Sequence, residues 1–144
     1  MSGRVARVSD GDTIRLVSGV RVRLVQIDAP EVSPPECYGA VARSVLRSLL
    51  PAGSEVRIES DDDLDRVDRF GRRLAYVFAG DRNVNVMLVE RGVAAPYFFG
   101  GDRGRYADDL LDAAEEAIDE RRGLWGACRG ARLDPERALT TSGR

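Results

Sequence analysis

Three stretches near the start of the chain, RVARVSD, DTIRLVS and VRVRLVQID, alternate apolar residues with charged or polar ones. Successive side chains of a strand point to opposite faces, so this period of two predicts strands with one buried face. Asp10-Gly11 and Ser18-Gly19 fall between the stretches as turn signals. The three strands therefore read as an antiparallel meander.

Beyond them, DAPEVSPPE carries three prolines and reads as a loop. From Tyr38 to Leu50 the apolar residues Val41, Val45, Leu46, Leu49 and Leu50 take up helical spacing, which Pro51 and Gly53 end. SEVRIES predicts a fourth strand and RRLAYVFA a fifth, with the charged SDDDLDRVDRFG as an exposed loop between them. Val84–Arg91 and Tyr106–Arg122 read as helices stopped by Gly92 and Gly123, with an aromatic, glycine-rich loop over 96–104. The expected class is α+β, mainly β: a five-stranded Greek-key barrel of the OB-fold type with about three packed helices. A four-stranded α+β sandwich fits the same pattern. We expect one domain over 1–128 and a flexible tail over 129–144.

Composition narrows the chemistry. All 22 basic residues are arginine, and there is no histidine. Imidazole cannot serve as base, nucleophile partner or metal ligand. Two cysteines, Cys37 and Cys128, are too few and too far apart for a zinc knuckle, which argues against zinc. No apolar run approaches the roughly 20 residues of a membrane span. The net charge of −2 is unusual for a protein that binds nucleic acid by charge alone, but the charges are segregated. Arg4, Arg7, Arg15, Arg21 and Arg23 group early, Arg66, Arg69, Arg72 and Arg73 later, and acids gather at 61–68 and along the last helix. Solvated faces that cancel, or a basic cleft with carboxylates for a cation, both account for this. For the acids of 61–68, an exposed loop is the expectation.

Two short motifs stand out. DGDT at Asp10–Thr13 is, taken alone, a turn; IDAPE at Ile27–Glu31 is, taken alone, a strand end. Both lie at ends of adjacent antiparallel strands, so Asp12, Asp28 and Glu31 can meet at one sheet edge. Two like charges about 4 Å apart repel by about 4 kcal/mol at an effective dielectric of 20. Such a cluster asks for a hard cation, which takes carboxylate and carbonyl oxygens. Arg23 and Arg72 supply guanidinium groups that bind phosphate oxygens in pairs. Arg23 and Asp28 are five residues apart, which puts them on opposite faces of an unbroken strand; they share a site only if the strand bends, bulges or ends. Arg72 reads equally well as a surface partner of Asp68.

SDGDTIRL, VRLVQIDAPE, ECYG, DRFGRRLAYV, NVMLVERGVAA and GLWGAC occur in an order that resembles the thermonuclease (staphylococcal nuclease-like) family, from about Val5 to Cys128. The resemblance implies an OB-fold nuclease that uses one calcium ion and hydrolyses DNA and RNA with little sequence preference, leaving 3′-phosphate ends. Magnesium or manganese in place of calcium stays open. By motif position Asp12 and Asp28 resemble the calcium-binding carboxylates, with Ala29 contributing its carbonyl. Glu31 resembles the proposed general base, and Arg23 and Arg72 the phosphate-binding arginines. Arg69, Phe70, Leu74 and Tyr97 are assigned to nucleic-acid contact. Phe70 stands where the family's best-known member has a tyrosine, so one phosphate hydrogen bond is expected to be missing.

Cys37 and Cys128 read either as buried free thiols or as a disulfide; the secreted relatives that the chain resembles imply the bridge. The expected partners are single-stranded DNA and RNA, bound by a monomer without a membrane. We expect a secreted or cell-envelope protein whose leader is absent from this sequence, with the cytoplasm as the alternative. The rival function is a non-catalytic OB-type binding module, and a calcium-stabilised structural domain is a third.

Overall fold

Strand β1 (Ser2–Asp10) lies between β2 (Thr13–Leu16) and β5 (Glu55–Glu59), and β2 continues the antiparallel meander into β3 (Arg21–Leu24). β5 pairs with β6 (Arg73–Ala79), and β6 closes the ring by lying parallel to β3. The result, in a computed structural model that describes residues 1–139, is a closed five-stranded barrel with helices packed on it. Its interior is the set that period two selects: Ile14 and Leu16, Val22 and Leu24, Val56 and Ile58, Ala75 and Val77.

β1 departs from strict alternation. Val5 and Val8 are both buried although three apart, because the register slips between Val5 and Arg7. A bulge of this kind adds a residue to one strand and re-aims its neighbours. Here it turns Arg7 outward.

Helix α1 (Gly39–Leu49) buries Ala42 and Leu46 against the barrel, leaving Val41 exposed. Helix α2 (Val84–Glu90) follows the short strand β7 (Arg82–Asn83) and starts on Asn83, whose side chain accepts from the Val86 amide at 3.2 Å. Helix α3 (Ala107–Asp119) packs its Leu110, Ala113, Ala114 and Ala117 stripe inward. It ends three residues short of Arg122, and one further turn, α4 (Leu124–Ala127), follows Gly123. The α+β, mainly β barrel with three longer helices is thus the observed architecture, and the sandwich is set aside.

The third stretch, read as one strand as far as Asp28, is broken. β3 stops at Leu24, Gln26 takes a left-handed backbone with φ 68°, and the chain resumes as β4 (Ile27–Asp28), paired with β8 (Ala95–Pro96). The break leaves backbone groups without a ladder partner. Asn85, fully buried, meets them: it donates to the Val25 carbonyl at 2.9 Å and accepts from the Val77 amide at 3.0 Å. Such groups left unpaired would each cost about 1–3 kcal/mol.

The acidic loop is also more than a solvated face. Asp61 is buried, taking the Tyr76 hydroxyl and the Arg105 amide at 2.7 Å each. Burial pushes its carboxyl up, but those donors and the Asp63 amide hold it below the usual range.

The segment after Cys128, expected as a tail, lies back on the barrel as far as Leu139, which is buried beside Ala95, Leu124 and Cys128. The last five positions of that expected tail lie outside the described residues. Cys37 and Cys128 are joined as a disulfide, their Cα atoms 5.9 Å apart.

Candidate active site

Asp12 sits just before β2, in the tight DGDT turn, with its carbonyl accepting from the Leu24 amide at 2.8 Å. Thr13 pairs with Arg23 across β2 and β3, so the turn and the end of β3 are neighbours. The break at Gln26 then brings Asp28 round to the same place. Arg23 Nη2 lies 3.4 Å from Asp12 and 3.2 Å from Asp28, while its Nη1 donates to the carbonyls of Leu24 and Ile27 at 2.6 and 2.8 Å. The parity objection to a shared site for Arg23 and Asp28 is removed by the strand ending between them.

This half of the site is largely withdrawn from water. The Arg23 and Asp28 side chains keep 14% and 18% of their exposure, and Asp12 is more buried still. Asp12 also accepts from the Ala29 amide at 2.9 Å and the Thr13 hydroxyl at 3.0 Å. Asp28 takes the Leu139 amide at 2.7 Å. Burial, then the negative charge of Asp12, push the Asp28 carboxyl up to about 6; Arg23 and the Leu139 amide pull the other way without cancelling them. One guanidinium nitrogen is shared between two carboxylates and does not neutralise both.

Glu31 does not join them. Its side chain faces solvent, and its backbone is what is held: the Glu31 amide donates to Glu36 Oε1 at 2.6 Å and its carbonyl accepts from the Glu36 amide at 3.0 Å. Gly39 backs onto that carbonyl so closely that a Cβ there would collide with it. The expected three-carboxylate cluster is therefore a pair plus an outlying Glu31. Among the described residues no three acidic, histidine or cysteine side chains stand close enough together to hold a metal.

Arg72 occupies the surface pairing that was its plain alternative: Nε donates to Asp68 at 2.8 Å. Asp68 also takes the Arg72 and Phe70 amides, each at 2.9 Å, so the carboxylate organises the whole 68–72 turn. Burial pushes Asp68 up, but these donors bring it below the usual carboxylate range. Gly71, at φ 78°, supplies the left-handed residue that the turn requires. Leu74 lies beside Arg23 across the parallel β3–β6 pair, and Arg72 stands in the turn immediately before β6. Phe70 is exposed under the guanidinium groups of Arg69 and Arg72, 4.8 and 5.4 Å from its ring centre. Tyr97 is half-buried, edge-on to Phe99, and its amide donates to the Gln26 carbonyl at 2.8 Å.

Sequence reasoning named Asp68 as a partner of Arg72 but missed its hold on the Phe70 and Arg72 amides, and it missed Glu36 and the Leu139 amide. DRFGR carried a signal for Asp68, since an Asp at the head of a turn commonly accepts from backbone amides two residues on. Nothing local could have signalled Leu139, which is 111 residues from Asp28. A cleft of about 750 Å³ between the β6–β7 hairpin, α2 and α3 lies away from this site. Its acids, among them Asp81, Asp109, Asp112 and Glu116, would repel an anionic polymer.

The pattern of the staphylococcal nuclease homologue family matches residues 21–127, which is most of the chain. The chain belongs to the staphylococcal nuclease family. Among its relatives, an uncharacterized endonuclease of Escherichia coli O157:H7 is 39% identical over 128 residues, covering 85% of this chain and 76% of that protein. Protein ParB of Escherichia coli is 38% identical over 138 residues, covering 87% and 72%. The thermonuclease of Staphylococcus intermedius is 33% identical over 128 residues, covering 84% and 74%. Membership makes this family chain a hydrolase with nuclease activity and nucleic acid as its substrate.

Proposed function

We propose that the protein is a calcium-dependent phosphodiesterase that cuts DNA and RNA with little sequence preference, favours single strands and leaves 3′-phosphate ends. The observation that carries this reading is the buried Asp12–Arg23–Asp28 constellation, where two carboxylates share one guanidinium nitrogen. Two carboxylates against one guanidinium leave negative charge in a partly dry place; burial first and Asp12 second raise the Asp28 carboxyl, and a hard cation would relieve both. The donor set fits such an ion. Asp12 and Asp28 would hold it with the Ala29 carbonyl, and magnesium or manganese would suit the same oxygens. When bound, the ion would polarise a phosphoryl oxygen and screen the carboxylates from an anionic substrate.

The remaining residues divide the work. With Asp12 and Asp28 otherwise engaged, Arg23 Nη2 is released to a phosphate oxygen. Arg72 spends Nε on Asp68, and among the described residues its two terminal nitrogens have no hydrogen-bond partner, which leaves them for a bidentate grip on the phosphate. Together the two guanidinium groups offset charge that grows as phosphorus becomes five-coordinate. Glu31, exposed and held by its backbone, would accept a proton from the attacking water. A bond forms from the water oxygen to phosphorus, the bond to the 5′ oxygen breaks, and that oxygen leaves as a hydroxyl with a proton from solvent, while the proton taken by Glu31 returns to solvent. Arg69, Phe70, Leu74 and Tyr97 would line the path of the bases and sugars, with Tyr97 stacking on a base. A monomer suffices, since every residue invoked comes from one chain. The Cys37–Cys128 bridge supports an oxidising, extracellular or envelope setting.

Incubation with denatured DNA, with calcium or with a chelator, tests the reading. Wild type should cut only with the cation. Arg72→Ala and Glu31→Gln should each slow turnover by about 10²-fold or more. Cleavage undiminished in either variant, or indifferent to the chelator, would sink the assignment.

A further inference from the structure

Away from the carboxylates, the outer face of the barrel carries arginines in register. Arg7 of β1 stands directly opposite Arg15 of β2, and Arg15 directly opposite Arg21 of β3. All three are exposed. Like charges directly opposite one another destabilise a sheet, and acids at neighbouring positions would offset that cost. None does so here: among the described residues Arg7, Arg15 and Arg21 enter no ion pair. The chain is not short of acids, having 24. Many lie elsewhere, on the exposed side of α3 at Asp108, Asp109, Asp112, Glu115 and Glu116. A surface made only for solubility intersperses the two signs.

The row also leads somewhere. Arg21 and Arg23 are two residues apart on β3 and share a face. Arg23 pairs with Leu74 and Val22 with Arg73 across β3 and β6, so the 68–72 turn that carries Arg72 adjoins the start of β3. Arg21 reaches into that turn, donating to the Phe70 carbonyl. At the other end Arg47 of α1 lies over β1, its Nη2 3.5 Å from the Val8 carbonyl. Arg7, Arg15 and Arg21 thus cross three neighbouring strands, and the turn that carries Arg72 lies beyond the third. At roughly 4.8 Å per strand the three cover about 10 Å, the length of about three stacked nucleotides at roughly 3.4 Å each.

We infer that Arg7, Arg15 and Arg21 form a track for the phosphates of a single nucleic-acid strand, next to the phosphodiester that Arg72 grips. The inference rests on the nuclease reading for its direction along the barrel, but it concerns binding and can be tested without cleavage. Neutral bases face away from the row, and the polymer is recognised by its backbone charge alone.

The test is anisotropy of labelled oligothymidylate and oligouridylate of about twenty nucleotides, with chelator present, over about 50–200 mM salt. The full chain is compared with the double variant Arg7→Gln/Arg15→Gln. The log–log salt slope should flatten by about 1.4, from about 0.7 per lost phosphate contact, and binding near 0.1 M salt should weaken roughly tenfold. Arg7→Lys/Arg15→Lys keeps the charges and should restore the slope. Arg91→Gln, exposed beyond the end of α2, should leave it unchanged. Loss on both polymers assigns the track to the shared backbone, and loss on one assigns it to that polymer. An unaltered slope in a folded double variant, or no recovery in the lysine variant, overturns the track. Wild type that binds in this salt-dependent way yet never cleaves would keep the track and remove the nuclease reading; wild type that cleaves with the slope unaltered by the glutamines would do the reverse.

Discussion

The two halves of the candidate active site are built in opposite ways. Asp12, Arg23 and Asp28 sit at the barrel's edge, mostly out of water, each tied by backbone or ion-pair partners. Glu31, Phe70 and Arg72 ride on loops, with Glu31 and Phe70 exposed and Arg72 partly so. In the first half the charges are expensive and their geometry is prepared. In the second they are cheap, and only the backbone beneath them is held, by Glu36 at one loop and Asp68 at the other. Similar chemistry can therefore carry quite different costs in stability.

The largest effect expected is on the clip between these regions. Cys37 lies six residues beyond Glu31, and its bridge to Cys128 closes a separation of 91 residues. Loss of the disulfide, by reduction or Cys128→Ser, should lower unfolding free energy by about 4–5 kcal/mol in chemical denaturation. Next comes the direct contrast. Arg23→Ala leaves two withdrawn carboxylates without their cation and should cost about 3–5 kcal/mol. Arg72→Ala removes a more exposed pair and should cost under about 1 kcal/mol, although both variants lose activity. Equal destabilisation of the two would break the comparison.

A third effect follows from Asp28, whose carboxyl rises from 3.8 to about 6. That difference corresponds to about 3 kcal/mol. Below about pH 4 the group is protonated in both folded and unfolded chains. Between about 4 and 6 the unfolded chain ionises while the folded one keeps its proton, so stability falls as pH rises, and stays lower above that. Thermal melting without metal should find Asp28→Asn stabilised above pH 6 and unchanged below pH 4, and calcium should raise the wild-type midpoint only on the alkaline side. The smallest effect belongs to the cheap half. If Phe70 borders the phosphate as proposed, Phe70→Tyr offers it a hydroxyl and should lower KM a few-fold, about 1 kcal/mol, with kcat little changed.

Much of this was legible in the chain. Period two marked β2, β3 and β5, which have one dry face, whereas β6 buries Ala75, Tyr76, Val77 and Phe78 in succession and reads as a continuous apolar run; prolines and glycines marked the loop and helix ends. The meeting of DGDT with IDAPE was legible because adjacent antiparallel strands must share an edge. What escaped had long-range causes. The bulge that makes Val5 and Val8 both interior cannot be told from simple alternation in RVARVSD. The burial of Asp61 depends on Tyr76 and Arg105 arriving from elsewhere, and the return of the last segment to Asp28 depends on the packing of Leu139 against Ala95, Leu124 and Cys128. Glu31 was grouped with the two aspartates on charge and proximity in sequence, but proline-rich DAPEVSPPE carries it outward.

The left-handed residue at Gln26 has one more implication. In an uninterrupted strand, adding or removing one residue exchanges faces, and adding or removing two restores them. Here the chain from Arg23 to Asp28 passes a corner, so neither kind of change leaves the guanidinium and the carboxylate facing each other. The length of that short segment is itself a functional parameter. Its side chains can be exchanged for others of similar shape, whereas a deletion of any size between those two residues would separate the Asp28 carboxylate from the arginine beside it.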